Sequence, residues 1–408
     1  MTGLPILSEA AWLTPARIRR IAMLFAGIAL IFLGADVWFH TRAGVTDAAG
    51  EQLGRDFVNY WSGAHLAAQG QARKVYDIGA FLGWQRQHTA ANAEFKWYSY
   101  PPVMLALSLP LAVMGYKAGL LLWLSGGWLA FSGLLSRLMG WRMAMLTAFA
   151  APASFLNFLA GQNGHYTAAL LGGGILLLEA SPAAAGALFG LLCFKPQLAV
   201  LVPVALIAGK HWRAFVAAGA TALLLAAASL ALFGQQTWLG FLHTAPINAQ
   251  LMEHGDTFWH RMPTVFAMTR LLGGSVAAGY ALQILSAAAA ILLVARVWCS
   301  GADIRQKGAM LILATFLATP YAWDYDLVML TFAAALLAAR AIENGFRPWE
   351  KSLVALMVAM PMILSPIASV VHFQIAPFIL WSALLLIARP GRVPAPSQAE
   401  AQTGEAGL

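Results

Sequence analysis

Apolar runs of about 20 residues recur along this chain, each long enough to cross the hydrocarbon layer of a bilayer as a helix. That recurrence decides most of what the chain can fold into. Residues 21–39, 143–160, 164–180, 214–233, 275–295, 308–319, 324–339, 352–370 and 373–388 read as crossings. They do not alternate apolar and polar residues, which excludes a transmembrane β-barrel. Composition agrees: 60% of the 408 residues are hydrophobic and 10% are charged, against roughly 25% charged in soluble globular proteins. The expectation is an all-α, polytopic integral membrane protein. Its net charge of +8 belongs to orientation, because Lys and Arg gather in cytoplasmic loops; it does not call for a nucleic-acid partner. Cys193 and Cys299 have neither metal-binding spacing nor the pattern of a disulfide framework.

Positive residues set the topology. Arg17, Arg19 and Arg20 precede the first apolar run, which is too long for a signal peptide and has no cleavage site. Residues 1–16 read as a cytoplasmic tail and 17–392 as one membrane domain. Basic clusters at 137–142, 210–213, 296–307, 340–351 and 389–392 are assigned to the cytoplasm, as are both termini. The outward segments are then a first loop at 41–99, a second large loop at 234–272, and short turns at 161–164, 319–325 and about 371–373. Two runs are broken, at Gly115-Tyr116-Lys117 and at Lys195-Pro196-Gln197. Broken helices survive in a membrane only where protein or a wet cavity pairs the freed backbone groups, so the count is ten to thirteen transmembrane or re-entrant helices. The Ala-, Gly-, Pro- and Gln-rich residues 393–408 read as a disordered tail.

The first loop is the most informative stretch. Asp56, Asn59, Tyr60 and Gly63 fall on one face of a helix, and Ile78, Phe81 and Leu82 begin a second amphipathic segment. Both read as helices lying along the membrane surface. Asp56, half desolvated among Asn59, Tyr60 and Trp61, is a candidate general base for a sugar hydroxyl; the plainer reading is an acid at a helix N-terminus. Asp77 reads as a turn residue. Asp36, near the outer end of the first helix, and Lys195, inside an apolar run, are charges that a membrane makes costly. Asp36 is a candidate substrate-binding residue or one half of an ion pair. Lys195 suits an anionic ligand such as a phosphate, or a salt bridge to an acid in a cavity. Gln162 and Asn163 form a polar turn able to bond sugar hydroxyls. The second large loop contributes Arg261 to a sugar- and phosphate-binding surface or to an ordinary solvated one. Trp323 and Asp324 begin a helix with aromatic and acidic groups of the kind that stack on and bond carbohydrate. The His and acidic residues of 234–272 lack a metal-binding spacing.

In order, Asp56 with Tyr60, Gly70, Tyr76-Asp77, Tyr100-Pro101-Pro102, Gly161-Gln162-Asn163, Lys195-Pro196-Gln197 before Lys210-His211-Trp212-Arg213, and Thr319-Pro320 with Trp323 resemble glycosyltransferase family 87. The resemblance spans roughly residues 50–340. That family includes polyprenol-phosphate-mannose-dependent α-mannosyltransferases and related arabinofuranosyltransferases. The resemblance implies a GT-C-like fold, an outward-facing active site and a catalytic acid in the first outer loop, which is Asp56 here. Tyr60, Tyr100 and Gln197, which stand within these motifs, are candidate substrate-binding residues. Where the family often carries His after the Pro and Trp, this chain has Asp324-Tyr325-Asp326. The expected reaction is transfer of a mannose, another hexose or a pentofuranose from a polyprenyl-phosphate donor to a glycan or lipid acceptor. It would take place on the outer side of the cytoplasmic membrane, without a cofactor. No nucleotide-binding loop is present in the sequence. The alternative is a transporter or flippase of a lipid-linked sugar, against which the large outer segments and the missing inverted repeat both speak.

Overall fold

The computed structural model describes residues 5–389 apart from residue 43. The expected tail at 393–408 lies outside the described residues. Among those described the protein is helical, and the one extended pairing is a bridge between Thr46 and Gln52. Six helices are long and apolar enough to cross a membrane: Pro15–Thr41, Tyr116–Leu135, Trp212–Phe233, Val276–Trp298, Asp324–Asn344 and Glu350–Val371. A seventh candidate is a bent pair, and four shorter apolar stretches accompany them. The expected ten to thirteen is reached only by counting these shorter pieces as well. The chain is an all-α, multi-pass membrane protein.

Burial sorts the spans into a centre and a rim. Asp324–Asn344 is mostly enclosed by protein, whereas few residues of Pro15–Thr41 and Trp212–Phe233 are buried. Ile31, Leu223 and Leu224 point outward, more than two-thirds exposed; in a bilayer such faces meet lipid tails. The centre also holds Ile304–Ala318, buried nearly end to end.

Proline and glycine mark where helices stop, bend and touch. Trp141–Ala150 and Pro152–Ala160 meet at 63°. Pro152 lacks an amide to continue the first helix and forces Ala151 into an extended conformation. The second helix ends on Gly161, left-handed at φ 62°. A Cβ there would sit 2.1 Å from the carbonyl oxygen of Gly54, so this glycine lets the first outer loop touch the 161–164 turn. In Pro182–Leu191, Gly186 and Gly190 lie one turn apart and face the backbone of Trp212–Phe233. A Cβ on them would come within 2.3 Å of the Ala214 oxygen and 2.5 Å of the Ala218 oxygen. This is the small-residue contact by which membrane helices approach closely.

Both breaks read from the sequence are present. The apolar stretch before Gly115 ends in a 3₁₀ turn, and Tyr116–Leu135 starts afresh after it. Around Lys195, two 3₁₀ turns, Leu192–Phe194 and Pro196–Leu198, replace α-helix. The outer segments differ from expectation. Phe57–Ala68 is a helix as read, but it is buried on nearly every side rather than laid along the membrane surface, because aromatic side chains from 76–123 close over it. The 234–272 segment is largely helical: Gln235–His254, Asp256–Trp259 and Val265–Leu271. Its long helix docks on the 41–99 segment, with Gly240 against Tyr76. Asp77 caps Ile78–His88, accepting from the Ala80 amide at 2.9 Å, as its turn reading required.

The Gly186 contact gives a stability prediction. Gly186→Val is expected to cost about 1–3 kcal/mol or more through overpacking and to lower the thermal midpoint in detergent. Gly219→Ala serves as control, since a Cβ there meets nothing within 4 Å.

Candidate active site

Asp56 is delivered by a tight turn in which Gly54 (φ 68°) and Arg55 (φ 37°) are both left-handed. Its backbone amide donates to the Ala160 oxygen at 3.1 Å, and Arg55 Nη1 donates to the Leu159 oxygen at 2.7 Å. The turn is thereby fixed to the end of Pro152–Ala160. Asp56 occupies the N-cap position of Phe57–Ala68, yet its carboxylate caps no amide of that helix. It accepts instead from Gln162 Nε2 at 2.9 Å. The half-buried carboxylate thus stands at a helix N-terminus, as the plainer reading had it, but its hydrogen bond goes to Gln162 and not to its own helix.

The Gln162 amide is oriented by what surrounds it. Its Nε2 must face Asp56, which only accepts, so Oε1 is left to accept from Tyr60 (2.6 Å) and Tyr100 (3.1 Å). The two phenol oxygens lie 2.7 Å apart. Burial pushes both phenols above their ordinary pKa, so they stay hydroxyls. Asn163 Nδ2 donates to Tyr100 at 3.2 Å, and its Oδ1 accepts from Lys195 Nζ at 3.0 Å. The turn is locked from below by Asn157, whose Oδ1 takes the Gly164 amide at 2.7 Å.

Lys195 resolves one of the open alternatives. Its ammonium meets Asp326 Oδ1 at 2.6 Å, with the two side chains 3% and 0% exposed, and lies 5.0 Å over the Tyr325 ring. Asp326 Oδ2 in turn accepts from the Trp323 amide at 3.0 Å. Trp323 and Tyr325 are parallel, 6.2 Å apart. Arg261 holds Asp324 with two bonds, at 2.8 and 3.0 Å, and lies 5.6 Å over Trp323. Burial works against the Arg261 cation, but the paired bonds to Asp324 outweigh it and raise its pKa. Its side chain keeps 33% exposure. Beside this array lies a cavity of about 330 Å³. Its walls are apolar (Met104, Leu107, Leu111, Leu170, Phe194), and Asn163 and Trp123 stand at its polar side.

One hydrogen-bonded chain thus joins Asp56, Gln162, Tyr60, Tyr100, Asn163 and Lys195 to Asp326, with Trp323, Asp324 and Arg261 alongside. Two expected residues are not in it. Asp36 pairs with Arg55 at 3.3 Å and with His40 at 3.5 Å, behind the Asp56 turn. Gln197 lies half-buried on the 3₁₀ turn after Lys195, and no hydrogen bond among the described residues ties it to the array. Asp326 and Tyr325 were not singled out as site residues. The signal was there: a lysine in an apolar run demands an acid, and Asp326 is an acid at the start of another run.

The chain matches the profile of glycosyltransferase family 87 over residues 98–320, more than half its length. It belongs to glycosyltransferase family 87. No curated protein and no solved structure matches it. This family 87 protein is therefore a membrane glycosyltransferase. The match takes in Tyr100, Gln162, Asn163, Lys195, Gln197 and Arg261. Asp56 and Tyr60 lie before it, and Trp323 and Asp324 after it.

The buried pair gives a prediction in two parts. Lys195→Met leaves the Asp326 carboxylate enclosed without its cation, at an expected cost of about 3–5 kcal/mol. Lys195→Met with Asp326→Leu removes both charges and is expected to recover most of the thermal midpoint in detergent. A single variant as stable as the double would mean the pair does not hold this region.

Proposed function

We propose that this glycosyltransferase takes its sugar from a polyprenyl-phosphate donor and places it on a hydroxyl of a glycan or lipid acceptor. Asp56 accepts the proton of that hydroxyl while the oxygen attacks the anomeric carbon. The bond from the anomeric carbon to the phosphate oxygen breaks, and the lipid phosphate leaves with the electron pair. The observation that carries this reading is the placement of Asp56: accessible, turned off its own helix, and linked through Gln162 and Asn163 to the edge of an apolar cavity. A carboxylate serves a sugar hydroxyl as base, and an apolar cavity ending in polar groups suits a prenyl chain with a charged head.

Of the two cations, Arg261 is the better partner for the leaving phosphate. Both are already paired with carboxylates, but Lys195 is sealed while Arg261 retains exposure, and guanidinium bonds phosphate oxygens in pairs. Lys195 then acts on Asn163 and so on the turn. Trp323, half-buried beside Arg261, faces the sugar, and the buried Tyr60, Tyr100 and Asp324 back the site and position Gln162 and Arg261. Transfer outside the cytoplasmic membrane fits the distribution of charge. The N-terminal segment packs on the loop before Glu350–Val371, with the Trp349 amide on the Ser8 oxygen at 2.6 Å. Arg347 and Lys351 flank that contact, and such basic loops stay inside. Pro15–Thr41 then carries the chain across to the Asp56 end.

The test is a transfer assay on protein purified in detergent, with radiolabelled polyprenyl-phosphate sugars and a lipid extract supplying acceptors. Asp56→Asn is expected to lose about 10²-fold or more in rate at an unchanged thermal midpoint. Full activity in that variant would remove Asp56 as the base. Label crossing a liposome membrane without a new glycosidic bond would favour transport instead.

A further inference from the structure

The outer end of Pro15–Thr41 and the turn that follows it bring together groups the transfer reaction does not use. His40, Asp47 and Glu51 each offer a ligand atom, and these atoms all lie within 4.8 Å of one another. We propose that this cluster is a structural site for one divalent transition-metal ion, of which zinc is the expected occupant.

The decisive group is the His40 ring. It is 5% exposed, and its Nδ1 is 2.8 Å from the Asp36 carbonyl oxygen. A carbonyl only accepts, so Nδ1 carries the hydrogen and Nε2 is left to face the carboxylates. Nε2 is buried with no hydrogen-bond partner; its nearest acid, Asp47 Oδ2, is 3.7 Å away. That is too long for a hydrogen bond. It is close to the edge of a tetrahedral zinc site, about 3.3 Å for ligand bonds near 2.0 Å. His65 and His88 make the same helical bond to a carbonyl, but their rings lie against Trp61 and Trp84. A histidine that ligates through Nε2 while its other nitrogen donates to a backbone carbonyl is the usual arrangement at zinc sites.

Charge points the same way. Asp36, Asp47 and Glu51 lie around His40, and among the described residues the guanidinium paired with them is Arg55, at 3.3 Å from Asp36 and 3.1 Å from Glu51. The nearby Arg42 lies over Trp38 instead. Three carboxylates against one guanidinium leave two negative charges, the charge of one divalent ion. His, Asp and Glu are the nitrogen and oxygen donors that zinc accepts, and the fourth position would be water. The loop is already shaped for it: Asp47 Oδ1 takes the Glu51 amide at 2.9 Å, leaving Oδ2 toward His40. Such an ion would clip the end of the first span to the turn that ends in Arg55 and Asp56. It rests on none of the catalytic assignments above.

The experiment is metal retention. Purified protein is stripped with chelator, dialysed against zinc and desalted, and bound zinc is measured per chain by mass spectrometry. A chromophoric chelator then gives the affinity. Wild type is expected to retain one zinc per chain, with a thermal midpoint raised by the metal. His40→Ala is expected to lose it. Asp47→Asn, a near-isosteric change on a partly exposed turn, is expected to bind at least about 10-fold more weakly while eluting as wild type does. Cobalt(II) in place of zinc should show the intense visible bands of a four-coordinate site in wild type only. No retained zinc in folded wild type, or equal retention in wild type and Asp47→Asn, would overturn the site.

Discussion

The ion pair between Lys195 and Asp326 holds together two stretches of backbone that a membrane would otherwise not tolerate. Around Lys195 the helix gives way to 3₁₀ turns, and before Asp326 the chain runs irregularly from Thr319 to Trp323. Freed amides and carbonyls at that depth must be paired by protein or by water in a cavity. Here each break supplies one charge to the other. Asp326 binds Lys195 with one oxygen and the Trp323 amide with the second, so one carboxylate completes both irregular segments. A buried pair of this kind contributes little net stability over apolar packing, but losing one partner is expensive. The pair therefore acts chiefly on specificity: it fixes which two breaks meet, and with them the position of Asn163.

From that pair the polar array extends without a gap to Asp56, and its order has a consequence. Gln162 is the pivot. It must donate to Asp56 and accept from two tyrosines, so a carboxylate and two neutral hydroxyls are kept in register through one amide. Burial keeps the phenols protonated, so they bring donors to the site without adding charge near Asp56. The glycine at 161 makes the arrangement possible, because any side chain there would collide with the Gly54 carbonyl and drive the two turns apart.

Much of this was legible in the sequence, and what was not has a physical cause. The helical membrane class followed from the apolar runs. Both breaks were visible as polar residues and proline within such runs. Lys195 stood out because a charge within an apolar run requires a use, Asp56 because it lies among aromatic residues of a polar segment, and Gln162 and Asn163 as a polar turn between two apolar runs. Lys195 showed that it needed an anion, but not which one: its acid lies far along the chain, and periodicity carries no information about contacts between helices. Asp36 was read on the same principle and likewise took the ion-pair branch, with Arg55. The spacing from Asp36 to His40, one helical turn, was visible in the sequence, yet it gains meaning only once the turn at 45–52 folds back. The enclosure of Phe57–Ala68 was hidden for a similar reason. Its polar face looked like a surface face, because nothing local showed that Tyr98, Tyr100 and Trp123 would cover it.

The relation between the family match and the polar array bears on how the chain works. The match covers the middle of the array: Tyr100, Gln162, Asn163, Lys195 and Arg261. Asp56 enters from one side of it and Trp323 to Asp326 from the other. Both flanking segments are tied to the middle by side-chain bonds rather than by sequence proximity: Asp56 to Gln162, Asp326 to Lys195, Asp324 to Arg261. The matched region thus supplies amide, phenol and cationic groups, and each carboxylate of the array arrives from outside it. In such a division the middle sets where a sugar and a phosphate can sit. Under the reaction proposed above, the flanking acids divide by partner: Asp324 and Asp326 are committed to cations, whereas Asp56 is held by the Gln162 amide and is the one assigned the proton.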